Sequence, residues 1–278
     1  MVRCGLKLEP RLLALAAASH SGEDFHVAGV REILAGAGLT QDDLQCPPDL
    51  PLDPAARDRL LRGGGGPDRV HMNCSGKHAA MLATCVAAGW PTATYRDPEH
   101  PLQLEIRRTV ERLTGEPVTA AGVDGCGAPL FATSLTGLAR AFRALVLAEP
   151  GSSERGVADA MRAYPAWTAG TSRSETALMI AVPGLLVKSG AEGVSGFALA
   201  DGRAGAVKID DGSERAVPPL VVALLAALTA ARPDGSARPE AGAGPVPGTD
   251  LTALDALAVP PVTGGDDTVG AIRAVWPS

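Results

Sequence analysis

LLVKSGAEGVSGFALADGRAGAVKID, residues 185–210, holds three apolar or alternating runs of strand length: 185–190, 195–200 and 205–210. Alternation with a period of two suits strands that bury one face. Asp201-Gly202 between the last two runs is a hairpin signal, because glycine accepts the positive φ of a two-residue turn. These runs predict an antiparallel sheet in the second half of the chain. Upstream, the apolar spacing becomes helical. Pro10 fits the first turn of a short helix carrying Leu12, Leu13 and Leu15. Ser21 can cap the next, where Val27, Val30, Ile33 and Leu34 keep a helical period. Asp53-Pro54 starts a helix that Gly63 stops, and Asp97-Pro98 starts one that Gly115 ends. Residues 75–88 predict a helix with Met81, Leu82, Cys85 and Val86 inward and Gly89 at its end. Another helix begins near Val217, 232–250 reads as a flexible loop rich in Pro and Gly, and 269–276 as a final strand. Helices first and an antiparallel sheet later give an α/β (α+β) class in which helices cover a sheet.

The chain has 278 residues, 46% of them hydrophobic and 3% aromatic, so Leu, Val and Ala must fill most of the core. A net charge of −6 and the lack of a basic cluster give no reason to expect a nucleic-acid partner. No membrane span is expected: the apolar run 217–231 contains a Pro pair and is too short. Glu9 and Pro10 interrupt the N-terminal region before a signal-peptide arrangement can form. Five cysteines lack the spacing of a secreted disulfide framework and suit a reducing compartment, so a cytoplasmic location is expected.

HMNCSGKHAAML, residues 71–82, sets Cys74, Ser75 and Lys77 at the head of the helix predicted over 75–88. A helix N-terminus stabilises a thiolate, and residues three apart can aim at one point. A phosphate loop fails on spacing, since His71 stands five before Gly76 and His78 follows Lys77 where Ser or Thr is needed. A Ser-x-x-Lys nucleophile fails because the motif here is Cys-x-x-Lys. A metal site remains, with a Cys74 thiolate and a neutral Lys77 amine as donors. VDGCGAPL, residues 123–130, offers a second thiol, Cys126, between two glycines and beside Asp124. On spacing alone the bland reading is the commoner one: a Cys at a helix start is usually a small buried hydrophobe, and a lone Lys a solvated charge. Cys46 and Cys85 read as structural. Arg173 in TSRSETALM suits either carboxylate binding or a surface role.

VHMNCSGKHAAML, GVDGCGAPLFA, AAASHSGEDFHVAGVREIL and LLVKSGAEGV, taken together and in order, resemble the asparaginase II family of Rhizobium-etli-type L-asparaginases. The resemblance covers nearly the whole chain apart from the Pro/Gly-rich stretch, and implies one domain over 1–278 with a fold like that of serine β-lactamases and penicillin-binding proteins. It implies a zinc-containing amidohydrolase that converts L-asparagine to L-aspartate and ammonia. Carried residue by residue, it makes Cys74, Lys77 and Cys126 zinc ligands, Ser19 and Lys188 a catalytic serine–lysine pair, and Asp124 a carboxylate that orients the substrate or backs the metal's ligands. Members are often dimeric, so a homodimer is a further implication.

Members of that family also carry an N-terminal hairpin and an Arg-Ser-x-x-Lys-Pro stretch ahead of the first helix. No Ser-x-x-Lys occurs in this sequence; the near forms are Cys4-Gly-Leu-Lys7 and Cys74-Ser-Gly-Lys77. The expectation is a chain short at its N-terminus, through a late-assigned start or as a true short form, with impaired stability and little asparaginase activity. Two alternatives follow: a catalytically inactive zinc-binding relative, and an amidase for glutamine or a related amide. One methylene in a pocket shifts preference by only ~1–3 kcal/mol, so sequence does not separate the two amides.

Overall fold

The three runs between residues 185 and 210 form the largest sheet among the described residues. The computed structural model describes residues 1–229, 249 and 252–275. The first half holds α1 (Pro10–Ala16), α2 (Asp24–Gly36), α3 (Pro54–Arg62), α4 (Ser75–Ala88) and α5 (Pro101–Thr114). A short hairpin of β1 (Ala121–Val123) and β2 (Pro129–Phe131) follows, then α6 (Leu135–Leu147), α7 (Ser153–Ala163), α8 (Pro165–Thr168) and α9 (Ser174–Ala181). β3 (Leu186–Gly190), β4 (Val194–Ala198) and β5 (Ala204–Lys208) pair antiparallel in chain order. α10 (Val217–Thr229), α11 (Asp255–Ala258) and the hairpin of β6 (Pro261–Gly264) and β7 (Asp267–Ala271) complete the described chain.

Successive strand residues point to opposite faces, so the register of this sheet decides what each face meets. Val187, Phe197 and Val207 pack on Leu178 and Met179 of α9 and on Val221 and Leu225 of α10. Leu186 and Ala198, on the other face, pack on Val146 of α6 and on Ala158 and Met161 of α7. Each fully buried side chain of this size contributes roughly 1.5–3 kcal/mol. Lys188 stands opposite Gly196 and shares the face of Leu186. A Cβ on Gly196 would lie 2.5 Å from the Phe142 ring, so glycine there lets α6 lie close.

A second core joins α1, α2 and α4 through Leu15, Val30, Ile33, Leu34 and Leu82. Its tightest point is Gly76, where a Cβ would lie 2.6 Å from the Leu15 carbonyl oxygen. That approach sets the head of α4 against the end of α1, and so brings Cys74 and Lys77 beside the loop that carries Ser19.

Several local expectations are corrected. Glu23, not Ser21, caps α2, in a reciprocal capping box with His26, while the Ser21 hydroxyl donates to the Ala169 carbonyl at 3.0 Å. α5 starts at Pro101 rather than at Asp97-Pro98, because the buried His100 accepts from Leu102 N–H and fixes the start there. Val86 is exposed, whereas nearly every α4 residue from Ser75 to Cys85 is buried, since neighbouring elements cover that stretch on several sides. The last strand ends at Ala271 and pairs with β6 in an exposed hairpin. Trp276 and, Thr249 apart, the Pro/Gly-rich stretch 232–250 lie outside the described residues. Among the described residues no helix is long and apolar enough to cross a membrane.

Candidate active site

Ser19 sits in the loop between α1 and α2, and Lys188 in the middle of β3. The Lys188 ammonium donates to the Ser19 hydroxyl at 2.9 Å across 169 residues of sequence, and also to the Ser189 carbonyl. Burial lowers the Lys188 pKa to about 8; Glu175 and Cys74 oppose that shift, while Arg173 and Lys77 add to it. Some of the lysine side chain stays accessible, but the amine itself is crowded by protein atoms, which is what the lowered pKa reflects.

The Ser19 loop is tied on both sides. His20 N–H donates to the Asn73 carbonyl at 2.8 Å, and Asp53 N–H donates to the Ser21 carbonyl at 2.8 Å. The His20 ring is fully buried, and burial holds its pKa well below the usual value, so it is neutral. Its Nδ1 accepts from Gly22 N–H at 3.1 Å, so Nε2 carries the proton and donates to Ser75 Oγ at 2.9 Å. Ser75 Oγ donates in turn to the Val70 carbonyl at 2.8 Å. Gly22, at φ 74°, takes a backbone shape that other residues rarely adopt, and a Cβ there would meet Pro51 at 2.9 Å.

Cys74 is the residue before α4, and Lys77 is in its first turn. Asp124 and Cys126 come from the tight turn between β1 and β2, where Gly127 N–H donates to the Asp124 carbonyl at 2.7 Å. Lys77 Nζ lies 3.3 Å from Asp124 Oδ2 and 3.2 Å from Cys126 Sγ, and the Cys126 thiol lies 3.1 Å from Asp124 Oδ2. One donor atom each from Cys74, Asp124 and Cys126 lies within 4.8 Å of the others. Of the two thiols, Cys74 is the one driven toward thiolate, to about 7, by hydrogen bonding with Cys126 and by the Lys77 charge against the cost of burial. For Lys77 burial is again the largest influence and is downward. Cys74, Cys126 and Asp124 outweigh it and hold the amine at about 12.

Arg173 precedes α9 and pairs with the buried Glu175, with Nη2 3.1 Å from the carboxylate. Burial pushes the Glu175 carboxyl up, but Arg173, Lys188 and a backbone hydrogen bond overcome it and hold it at about 2. A cavity of about 300 Å³ opens beside Arg173, Ser174, Ser189, Gly190 and Glu214. The five side chains singled out for metal and catalysis thus fall into two contact sets, and Lys188 lies in the electrostatic field of both Cys74 and Lys77. Cys46 and Cys85 are buried thiols, each pushed up to about 11 chiefly by burial, with Cys126 adding to the shift at Cys46.

Residues that sequence reasoning passed over complete the surroundings. Glu175 could have been noticed as the only acid at the head of the apolar run TALMIA. His20, Ser75, His78 and Tyr95 carry no local signal, because their partners lie 55 and 17 residues away. The family model described as L-asparaginase II matches residues 1–273. Comparison with curated proteins finds no match.

Proposed function

Because the chain belongs to the L-asparaginase II family and is thereby an L-asparaginase-like amidohydrolase, we propose that Ser19 and Lys188 form its nucleophilic centre, beside a zinc ion held by Cys74, Lys77 and Cys126. L-asparagine is the substrate, and L-aspartate and ammonia are the products. The observation that carries the catalytic part is the 2.9 Å contact between Lys188 Nζ and Ser19 Oγ, made by a lysine whose pKa burial has lowered to about 8. An amine in that state is a competent base near neutrality. As the Ser19 oxygen attacks the amide carbonyl carbon, neutral Lys188 takes its proton. The resulting ammonium returns that proton to the departing nitrogen as the carbon–nitrogen bond breaks, and ammonia leaves. Water, deprotonated by the same amine, opens the ester, releases L-aspartate and restores the serine hydroxyl.

The donor set fits the metal. Two thiols, an amine and a carboxylate converge from two segments 49 residues apart, with distances short enough to share one ion. Ligation by Lys77 requires its neutral amine, so Lys77 would give up its proton in holding a dication, as the thiols would. When bound, zinc supplies a fixed positive charge that orders the pocket wall and draws a carboxylate toward it. Asp124, 3.3 Å from Lys77, orients the ligands and the substrate's ammonium group. Arg173, with Nε and Nη2 turned to Glu175, offers Nη1 to a substrate carboxylate. We also read the fold as serine β-lactamase-like; an antiparallel sheet between helices, with the Lys-Ser-Gly of 188–190 on β3 facing a serine loop, supports this.

Ammonia release from asparagine tests the centre. Ser19→Ala should lower turnover by roughly a thousandfold or more, and wild-type turnover in that variant would sink the assignment. Metal analysis tests the second part: the wild type should carry one zinc per chain, and Cys126→Ala should fall well below that.

A further inference from the structure

His78 is fully buried one residue beyond Lys77, and no step described above uses it. Its Nδ1 lies 2.6 Å from the Tyr95 hydroxyl. That hydroxyl already accepts from Gln45 N–H at 3.1 Å, so its own proton is directed at the histidine. Tyr95 is itself fully buried, and burial raises its pKa, so the phenol keeps that proton. With Nδ1 accepting, the ring N–H of His78 stands on Nε2. This nitrogen is buried and has no hydrogen-bond partner among the described residues. A buried donor left unpaired costs about 1–3 kcal/mol, so such an atom calls for an explanation. The Cys126 thiol, buried in the same core as Tyr95, is the neighbour: Cys74 and burial push it up to about 12, and His78 opposes them. As a thiol, Cys126 turns its proton to Asp124. As a thiolate it becomes an acceptor on every side.

Resting on the zinc reading above, we infer that His78 is a positioning residue for the metal centre: its Nε2–H donates to the Cys126 sulfur once that sulfur is a ligand, in a tautomer fixed by Tyr95. The relay runs from Gln45 N–H through the Tyr95 hydroxyl and the His78 ring to the sulfur. It reaches the site from the interior of the helical core and touches no substrate. Partners of this kind orient a ligand and typically change metal affinity by 10–100-fold when lost. A hydrogen bond to a thiolate also draws charge from the sulfur, which a bound cobalt ion reports through its sulfur-to-metal charge-transfer band.

The test measures zinc affinity by competition with a chromophoric chelator, and the cobalt(II) absorption spectrum, on the whole chain. His78→Phe should weaken zinc binding roughly 10–100-fold and move the charge-transfer band to lower energy. His78→Gln, whose side-chain amide keeps a donor at the Nε2 position, should recover most of both. Tyr95→Phe should give the same changes as His78→Phe to a smaller degree, and it provides the decision should His78→Phe fail to fold. Wild-type affinity and spectrum in folded His78→Phe or Tyr95→Phe would overturn the inference while leaving the zinc reading intact. A wild-type protein that binds neither ion would overturn the zinc reading and this inference with it.

Discussion

Two lysines lie within one electrostatic neighbourhood and are pushed in opposite directions. Lys188 is lowered to about 8 and Lys77 raised to about 12, although burial is the largest influence on both and acts downward on both. The difference lies in their company. Lys77 has a carboxylate and a thiol within 3.3 Å and a second thiol nearby, so its surroundings hold positive charge in place. Among the described residues the Lys188 amine hydrogen-bonds to a hydroxyl and a carbonyl, and the pull of Glu175 and Cys74, countered by Arg173 and Lys77, does not outweigh its burial. An amine in the first setting is a cation or yields its place to one. In the second it exchanges a proton near neutral pH. On the proposed reading, the site thereby holds a place for a cation and a base without either function spoiling the other.

The largest effect should come from breaking one side of this contrast alone. Lys188→Met removes the proposed base and leaves the cluster untouched, so turnover should fall roughly 10²–10⁴-fold while zinc content stays at the wild-type level. Loss of zinc in that variant would show the two regions to be one unit. Next comes the carboxylate that steadies the Lys188 side. Glu175→Gln leaves Arg173 buried without its partner and should destabilise the fold by about 3 kcal/mol in denaturant unfolding. Since the folded Glu175 pKa is depressed, its contribution is complete above 4.5 and is lost as pH falls toward about 2. The variant's stability should therefore vary less with pH across that window. The smallest effect concerns protonation itself. In the proposed mechanism the active form of Lys188 is the neutral one, so turnover should rise with pH through about 8 and be about tenfold slower at pH 7 than on the plateau. Removing the Glu175 charge, which raises the Lys188 pKa, should move that limb to lower pH. A limb left in place would mean that another group titrates.

The parts legible in the sequence were those written in local pattern. Period-two alternation and Asp201-Gly202 located the sheet, and Gly63, Gly89 and Gly115 marked helix ends where the chain does turn. The start of α5 was misplaced because its cap is a histidine whose other nitrogen reaches back to Pro91, a contact no window around Asp97 contains. The four helices from α6 to α9 were not separated by periodicity. Two of them are short, and α9 buries Glu175 and Thr176 among its apolar residues, which blurs its stripe. For the site, the helix-head argument singled out Cys74 and Lys77 on their own chemistry. Ser19 and Lys188 came only through likeness to a family, since a serine in a loop and a lysine in a strand declare nothing until the fold brings together positions 169 apart in sequence. His20 and His78 were missed for the same reason: each acts through partners that only the tertiary structure supplies. Glu175 pairs with Arg173 only two residues away, and what its letters do not declare is its burial.

Gly76 has a consequence for how this protein can drift. Its Cα hydrogen occupies the space of a side chain 2.6 Å from Leu15, at the seam that sets the serine loop against the cysteine helix. A single added methyl would act as a wedge between two segments whose own letters had not changed. Every residue of the chemistry could then survive in the gene while the machine it builds falls out of alignment, so vigilance over this family's motifs belongs as much to the silent glycine as to the reactive side chains around it.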